Sequence, residues 1–168
     1  MPWFKCAETD DLRMSVEERY CNLMNNPYYI IMEYDIPTGK FLYLNKRGQR
    51  LFGYTLDKFR DLTIAHFIKD PISSSLATQR LNQLKDGIPL NEEALYAVRD
   101  KNGNVLYIKG MEFVLYNGDT PFSIQMVARD VTEKYIMKKR YLDALERETR
   151  ESSASALDMI KSLRSPML

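Results

Sequence analysis

From Asn91 to Tyr135 the apolar positions fall into three runs separated by two tight turns. In the first, Glu92–Val98, Ala94, Tyr96 and Val98 share one parity, and Leu95 and Ala97 the other. Asp100-Lys101-Asn102-Gly103 then reverses the chain, since Asn-Gly supplies the positive φ angles of a short hairpin. In Val105–Tyr116, Tyr107, Met111, Phe113 and Leu115 lie on one parity, and Leu106, Ile108, Gly110 and Val114 on the other. Asn117-Gly118-Asp119 turns the chain again and Phe122–Val131 returns as a third strand. Apolar residues on both parities predict an antiparallel meander with neither face fully wet. The meander empties into a charged helix, with Asp130 as its expected N-cap and Glu133 closing a capping box.

Upstream, the pattern predicts two strands and then a run of helices. Ser15 and Glu18 form a capping box for a first helix whose apolar stripe is Val16, Tyr20, Leu23 and Met24. Asn25-Asn26-Pro27 ends it, because the residue before proline avoids the helical region. Tyr28–Asp35 and Phe41–Leu44 read as strands joined by Ile36-Pro37-Thr38-Gly39. Asn45 caps a helix over Lys46–Phe52, and Gly53 ends it. Short helices follow over Leu56–Leu62 and Ala65–Ile68, then a long one over Ile72–Lys85. Two strands, helices and three strands make an α+β domain of one sheet with one helical side.

Composition adds mainly exclusions. The 168 residues suit one domain with flanking helices, and 45% hydrophobic with 28% charged residues is ordinary for a globular protein. A net charge of +1 gives no footprint for nucleic acid or anionic membrane. Cys6 and Cys21 alone make no disulfide framework, so a cytoplasmic location is expected. The N-terminus has no signal-like apolar region, and no window approaches a membrane span.

Three short motifs suggest a family. Asp130-Val131-Thr132-Glu133-Lys134, at the end of the last strand, resembles the closing Asp-Ile-Thr-type motif of PAS domains. Tyr43-Leu44-Asn45 and Phe52-Gly53-Tyr54 resemble that family's Asn at the end of the second strand and Gly-Tyr after the first small helix. The resemblance covers roughly Pro27 to Tyr135. It implies a PAS-like fold: a five-stranded antiparallel sheet in the order 2-1-5-4-3 with helices on one side, and additional N- and C-terminal helices. Three segments follow, 1–26 as a leading segment and helix, 27–132 as the core, and 133–168 as a signalling helix. The family's last strand passes its state to an output helix, which makes Asp130, Thr132 and Glu133 the expected signal junction.

Catalytic and cofactor chemistry finds little support. His66 is the only histidine, so no site needing two can form, and it lies off the long helix where the family's haem ligands usually sit. Cys6 and Cys21 precede the core, where no flavin-reactive cysteine would be, and Trp3 lies outside the domain. Neither a glycine-rich phosphate loop nor zinc spacing is present. The expectation is a non-enzyme without cofactor or metal.

The resemblance places a cavity between sheet and helices, lined by some of Ile30, Met32, Phe52, Phe67, Leu76, Leu81, Tyr96, Met111, Phe113 and Met126, with Gln125 and Arg129 as polar candidates and Arg99 as an alternative. Methionines and tyrosines suit an adaptable pocket for a small apolar ligand, and the same residues also describe a packed core.

In the tail, Tyr135, Leu142, Thr149, Ala156 and Leu163 recur every seven residues, with Lys138, Leu145, Ser152 and Met159 at the paired positions. That seam is a weak coiled coil, and Glu146–Ser155 is polar enough to bend or fray. Met159–Met167 resembles the phosphoacceptor box of sensor histidine kinases, but Lys161 replaces the acceptor histidine, and a protonated lysine has no lone pair to phosphorylate. A helix end stopped by Ser-Pro accounts for the same residues.

A sensory or interaction module is the first expectation. It would pass ligand or partner state through its C-terminal helix to an effector of the histidine kinase (two-component) or diguanylate cyclase type. A purely structural dimerisation module with a filled core is the alternative. Either way a homodimer is expected through Val16, Tyr20, Leu23, Tyr135, Leu142 and Leu145.

Overall fold

A computed structural model describes residues 15–164. The chain divides after Val131 into two units. The first holds β1 (Ile30–Asp35), β2 (Phe41–Leu44), β3 (Ala94–Arg99), β4 (Val105–Asn117) and β5 (Thr120–Asp130), with helices α1 (Val16–Met24), α2 (Lys46–Phe52), α3 (Leu56–Arg60), α4 (Ile64–Phe67) and α5 (Pro71–Lys85). All strand pairings are antiparallel, and the sheet runs in the order β2-β1-β5-β4-β3. The expected fold class is therefore found.

Local chemistry sets the helix boundaries. Ser15 accepts from the Glu18 amide at 3.1 Å while the Glu18 carboxylate takes the Ser15 amide at 2.7 Å, a complete capping box. Asn45 accepts from the Gly48 amide at 3.0 Å and donates to the Tyr29 carbonyl at 2.8 Å, tying α2 to the chain entering β1. Asp70 caps α5 through the Ser73 amide at 2.8 Å, with Pro71 in the first turn.

The turns differ from expectation in one respect. Asn102 does not take a positive φ, as no residue but glycine does among those described. Instead the Asp100 carboxylate gathers the amides of Asn102 and Asn104 and the Asn104 side chain, each at 2.8 Å. At the other hairpin Gly118, φ +61°, takes the first central position between paired Asn117 and Thr120, where a type II′ turn requires glycine.

Parity decides what is inside. Ile30, Met32 and Tyr34 of β1 are paired with Ala128, Met126 and Ile124 of β5, and this row faces the helices with Ala94, Tyr96, Val98 and Ile108. The centre is an aromatic knot. Phe41 meets Phe59 at 4.4 Å between ring centroids, and Phe52 meets Phe67 edge-on at 4.7 Å. Gly110 is required by close approach, for a Cβ there would lie 2.3 Å from the Val127 carbonyl oxygen of β5.

Side chains also occupy the sheet edges. Ser73 of α5 accepts from the Ala97 amide of β3 at 2.9 Å, and Arg60 Nε donates to the Leu42 carbonyl of β2 at 2.9 Å. On the outer face Tyr20 of α1 hydrogen-bonds Gln125, and burial followed by the nearby Glu33 charge raises its hydroxyl pKa. Cys21 is disulfide-bonded, where the two cysteines by themselves suggest no disulfide framework, and Cys6, like Trp3, lies outside the described residues.

Among the described residues the second unit is one helix, α6 (Thr132–Arg164), of 33 residues. It begins one residue past Val131, so Asp130 closes β5, paired with Ile108, instead of occupying the N-cap position. The polar stretch 146–155, expected to bend or fray, is helical throughout. Thr149 and Ser153 satisfy their hydroxyls on carbonyls four residues back, at 2.8 Å each, inside a continuous helix. No described helix is long and apolar enough to cross a membrane.

Candidate functional site

A cavity of about 70 Å³ lies between the inner face of the sheet and α4–α5. Met32 and Tyr34 of β1, Ile124 and Met126 of β5, Tyr96 and Val98 of β3 and Ile108 of β4 form its sheet wall. Phe67 and Ile68 close one end, and Ala77, Leu81 and Leu84 of α5 form the helical wall. The lining is apolar apart from one polar cluster.

That cluster is Arg80, Glu112 and the Tyr96 hydroxyl. Arg80 donates to Glu112 Oε2 through Nε at 3.2 Å and through Nη2 at 2.6 Å. Tyr96 donates its hydroxyl to the other carboxylate oxygen, Oε1. Nη2 also reaches the Glu92 carbonyl at 2.7 Å. The Arg80 and Glu112 side chains are only 11% and 10% exposed. Burial, reinforced by the adjoining Glu112 charge and hydrogen bond, pushes the Tyr96 hydroxyl well above its ordinary pKa. For Arg80, burial opposes the charge, but the Glu112 hydrogen bond and charge outweigh it and hold the guanidinium protonated. The cavity thus has one polar corner, with a cation and an anion that neutralise each other.

Of the residues proposed from sequence, Met32, Phe67, Leu81, Tyr96 and Met126 line the cavity. Ile30, Phe52 and Leu76 belong to the surrounding core without lining it. Met111, Phe113 and Gln125 are corrected, because their strand parity puts them on the sheet's opposite face from Ile108, Glu112 and Met126. The sequence reading missed Arg80 and Glu112. A signal for both exists: Glu112 interrupts the otherwise apolar parity Leu106, Ile108, Gly110, Val114, and Arg80 lies on the Leu76–Leu84 stripe at helical spacing.

His66 is exposed on α4 and bonds Thr63 Oγ1 through Nδ1 at 2.8 Å, away from the cavity lining. Among the described residues no group of three His, Cys, Asp or Glu side chains is placed to hold a metal. Tyr20 and Leu23 of α1 are 51% and 68% exposed, while Met24 is buried; the Val16 side chain lies outside the described residues. On α6, Tyr141, Leu142, Leu145 and Met159 are exposed apolar residues. In the phosphoacceptor-like segment, residues 165–167 and the Lys161 side chain lie outside the described residues.

The sheet order and the helical side are those of the PAS fold. No family model and no curated protein matches the chain. Solved structures do. A domain of a sensory box sensor histidine kinase/response regulator from Geobacter sulfurreducens is 25% identical, with a TM-score of 0.56 over 68% of this chain and 93% of that one. The PAS domain of a Colwellia psychrerythraea protein gives a TM-score of 0.59 at 13% identity, over 71% of this chain and 99% of that one. The N-terminal domain of a Marinobacter aquaeolei diguanylate cyclase with PAS/PAC sensor gives 0.52 at 14%, over 64% and 98%. The chain thus has the PAS fold, followed by a long C-terminal helix.

Proposed function

We propose that the protein is a non-catalytic sensory module that binds a small, mostly apolar ligand beneath its sheet and passes the bound state through α6 to an effector domain. The observation that carries this reading is the course of β5. Its inner face, Ile124 and Met126, is cavity wall, and one residue separates its end from a 33-residue helix. A strand displaced by a ligand therefore shifts the start of that helix, with Asp130, Thr132 and Glu133 as the junction. The neighbours' occurrence in histidine kinases and a diguanylate cyclase supports an effector of one of those kinds. The module works as a homodimer, because exposed Leu142 and Leu145 on α6, and Tyr20 and Leu23 on α1, are surfaces that a second copy would cover.

The test is amide hydrogen exchange of the intact chain with the cavity open or filled. Ala77→Leu fills it from α5. Altered protection from Thr132 to Leu142 is expected, beyond changes next to Ala77. Unchanged exchange in α6 would rule out transmission and favour the second reading, a structural dimerisation module, for which the cavity's small volume of about 70 Å³ speaks. In either reading, Leu142→Asp with Leu145→Asp converts a sedimenting dimer to folded monomer. A fully dimeric double variant would remove the helical interface.

A further inference from the structure

The cavity has an outer neighbour. A groove of about 210 Å³ lies between the α5–β3 connection, at Gly87 to Leu90, and β4 at Phe113, Val114 and Tyr116. Leu84 and Glu112 line both the groove and the cavity. They are 4% and 9% exposed, so the partition between the two voids is a leucine side chain and a carboxylate. The surface hollow at Pro71, Ile72 and Leu76, on the other side of α5, shares no residue with the cavity.

We propose that this groove is the mouth of the cavity, that Leu84 is its gate, and that the Arg80 guanidinium is the latch holding it closed. This rests on the cavity being a ligand site and adds how a ligand reaches it. Arg80 holds three elements together: its own helix, β4 through Glu112, and the lead into β3 through the Glu92 carbonyl. While those bonds stand, the 86–92 connection lies against α5 and Leu84 stays between groove and cavity. Rotation of Leu84 about its side-chain bonds, with a small displacement of the connection, opens a passage without disturbing the sheet. The passage selects its traffic. Leu84, Ile88, Pro89 and Leu90 offer no side-chain partner to a charge, and Glu112 is already paired with Arg80, so an ion would have to shed its water to pass. A small uncharged molecule crosses, and one polar group on it can meet the Tyr96–Glu112 corner.

Xenon is a suitable probe, being apolar and atomic. Met32 and Met126 both line the cavity, so ¹³C-methyl spectra of the intact chain under xenon pressure report occupancy by shift and exchange rate by relaxation dispersion. Leu84→Ala removes the gate. Leu81→Ala removes the same atoms from a wall that the groove does not share. Both variants should raise occupancy, and only Leu84→Ala should accelerate exchange, by about tenfold or more. Equal acceleration in both overturns the gate and leaves the ligand cavity standing. Absence of any xenon shift at either methionine of the parent protein overturns both. Should Leu84→Ala unfold, Ile88→Ala at a half-exposed position of the mouth takes its place. It should accelerate exchange, and an unchanged rate overturns the mouth.

Discussion

Removing Arg80 leaves the Glu112 carboxylate in an apolar cavity with only the Tyr96 hydroxyl as partner. Both members of the ion pair are about nine-tenths buried, at 11% and 10% side-chain exposure, so screening by water is slight. Breaking a pair of this kind from one side costs about 3–5 kcal/mol, because the remaining charge keeps its desolvation without its partner. Arg80→Met, which keeps the stem and deletes the charge, should fall in that range, and so should Glu112→Leu. The exposed Glu92 carbonyl finds water and adds little. Replacing both partners at once removes both charges, and what remains is mainly the unpartnered Tyr96 hydroxyl, at about 1–3 kcal/mol. The double variant should therefore be more stable than either single one. Adding Tyr96→Phe should recover part of the remainder. Urea unfolding of the four proteins gives the cycle directly, provided the slopes stay equal. Single variants costing under about 1 kcal/mol, or a double variant equal to the sum of the singles, would refute the buried-pair account.

Three further outcomes follow from local geometry. Gly110→Ala should destabilise by at least about 1–3 kcal/mol or prevent folding, since its Cβ would meet backbone atoms of Val127 and Ala128 at 2.3 and 2.6 Å; thermal unfolding reads this. Asn45→Ala should cost about 2 kcal/mol, losing the α2 cap and the donor to the Tyr29 carbonyl, and Asn45→Asp should cost at least as much, because it keeps the cap but buries a carboxylate oxygen against that carbonyl, as urea midpoints would show. Asp70 is held below the ordinary carboxylate pKa of 3.8 chiefly by the Ser73 amide, and Asp100 chiefly by the Asn104 side chain. A lowered folded pKa stabilises above the unfolded value and is lost as pH falls through the folded one, so Asp70→Asn and Asp100→Asn should flatten the loss of stability seen below about pH 4.

The elements follow from local rules that the sequence states openly. Ser15 and Glu18, Asn45 and Gly53, and Asp70 with Pro71 mark helix ends within a few residues of themselves, and Gly118 can only be a turn. Alternation marked the strands, and the order of elements with three short motifs was enough for the sheet order. Alternation could not say which parity of β4 and β5 faces inward, because both carry apolar residues. That choice belongs to pairings across the fold, Met32 with Met126 and Glu112 with Met126, which put Glu112 inside and Met111, Phe113 and Gln125 outside. The polar corner is likewise tertiary. Tyr96 and Glu112 are 16 residues apart and Arg80 and Glu112 are 32 apart. The β3–β4 register brings the first two together, with Gly110 between Ile108 and Glu112 offering no side chain to block the tyrosine. The docking of α5 on β3 through Ser73 brings the third. An arginine on a helical apolar stripe and a glutamate on an apolar strand face are each an anomaly in sequence. Only the packing of helix on sheet turns two unfavourable burials into one neutral, hydrogen-bonded pair, since each charge supplies the solvation that the other has lost.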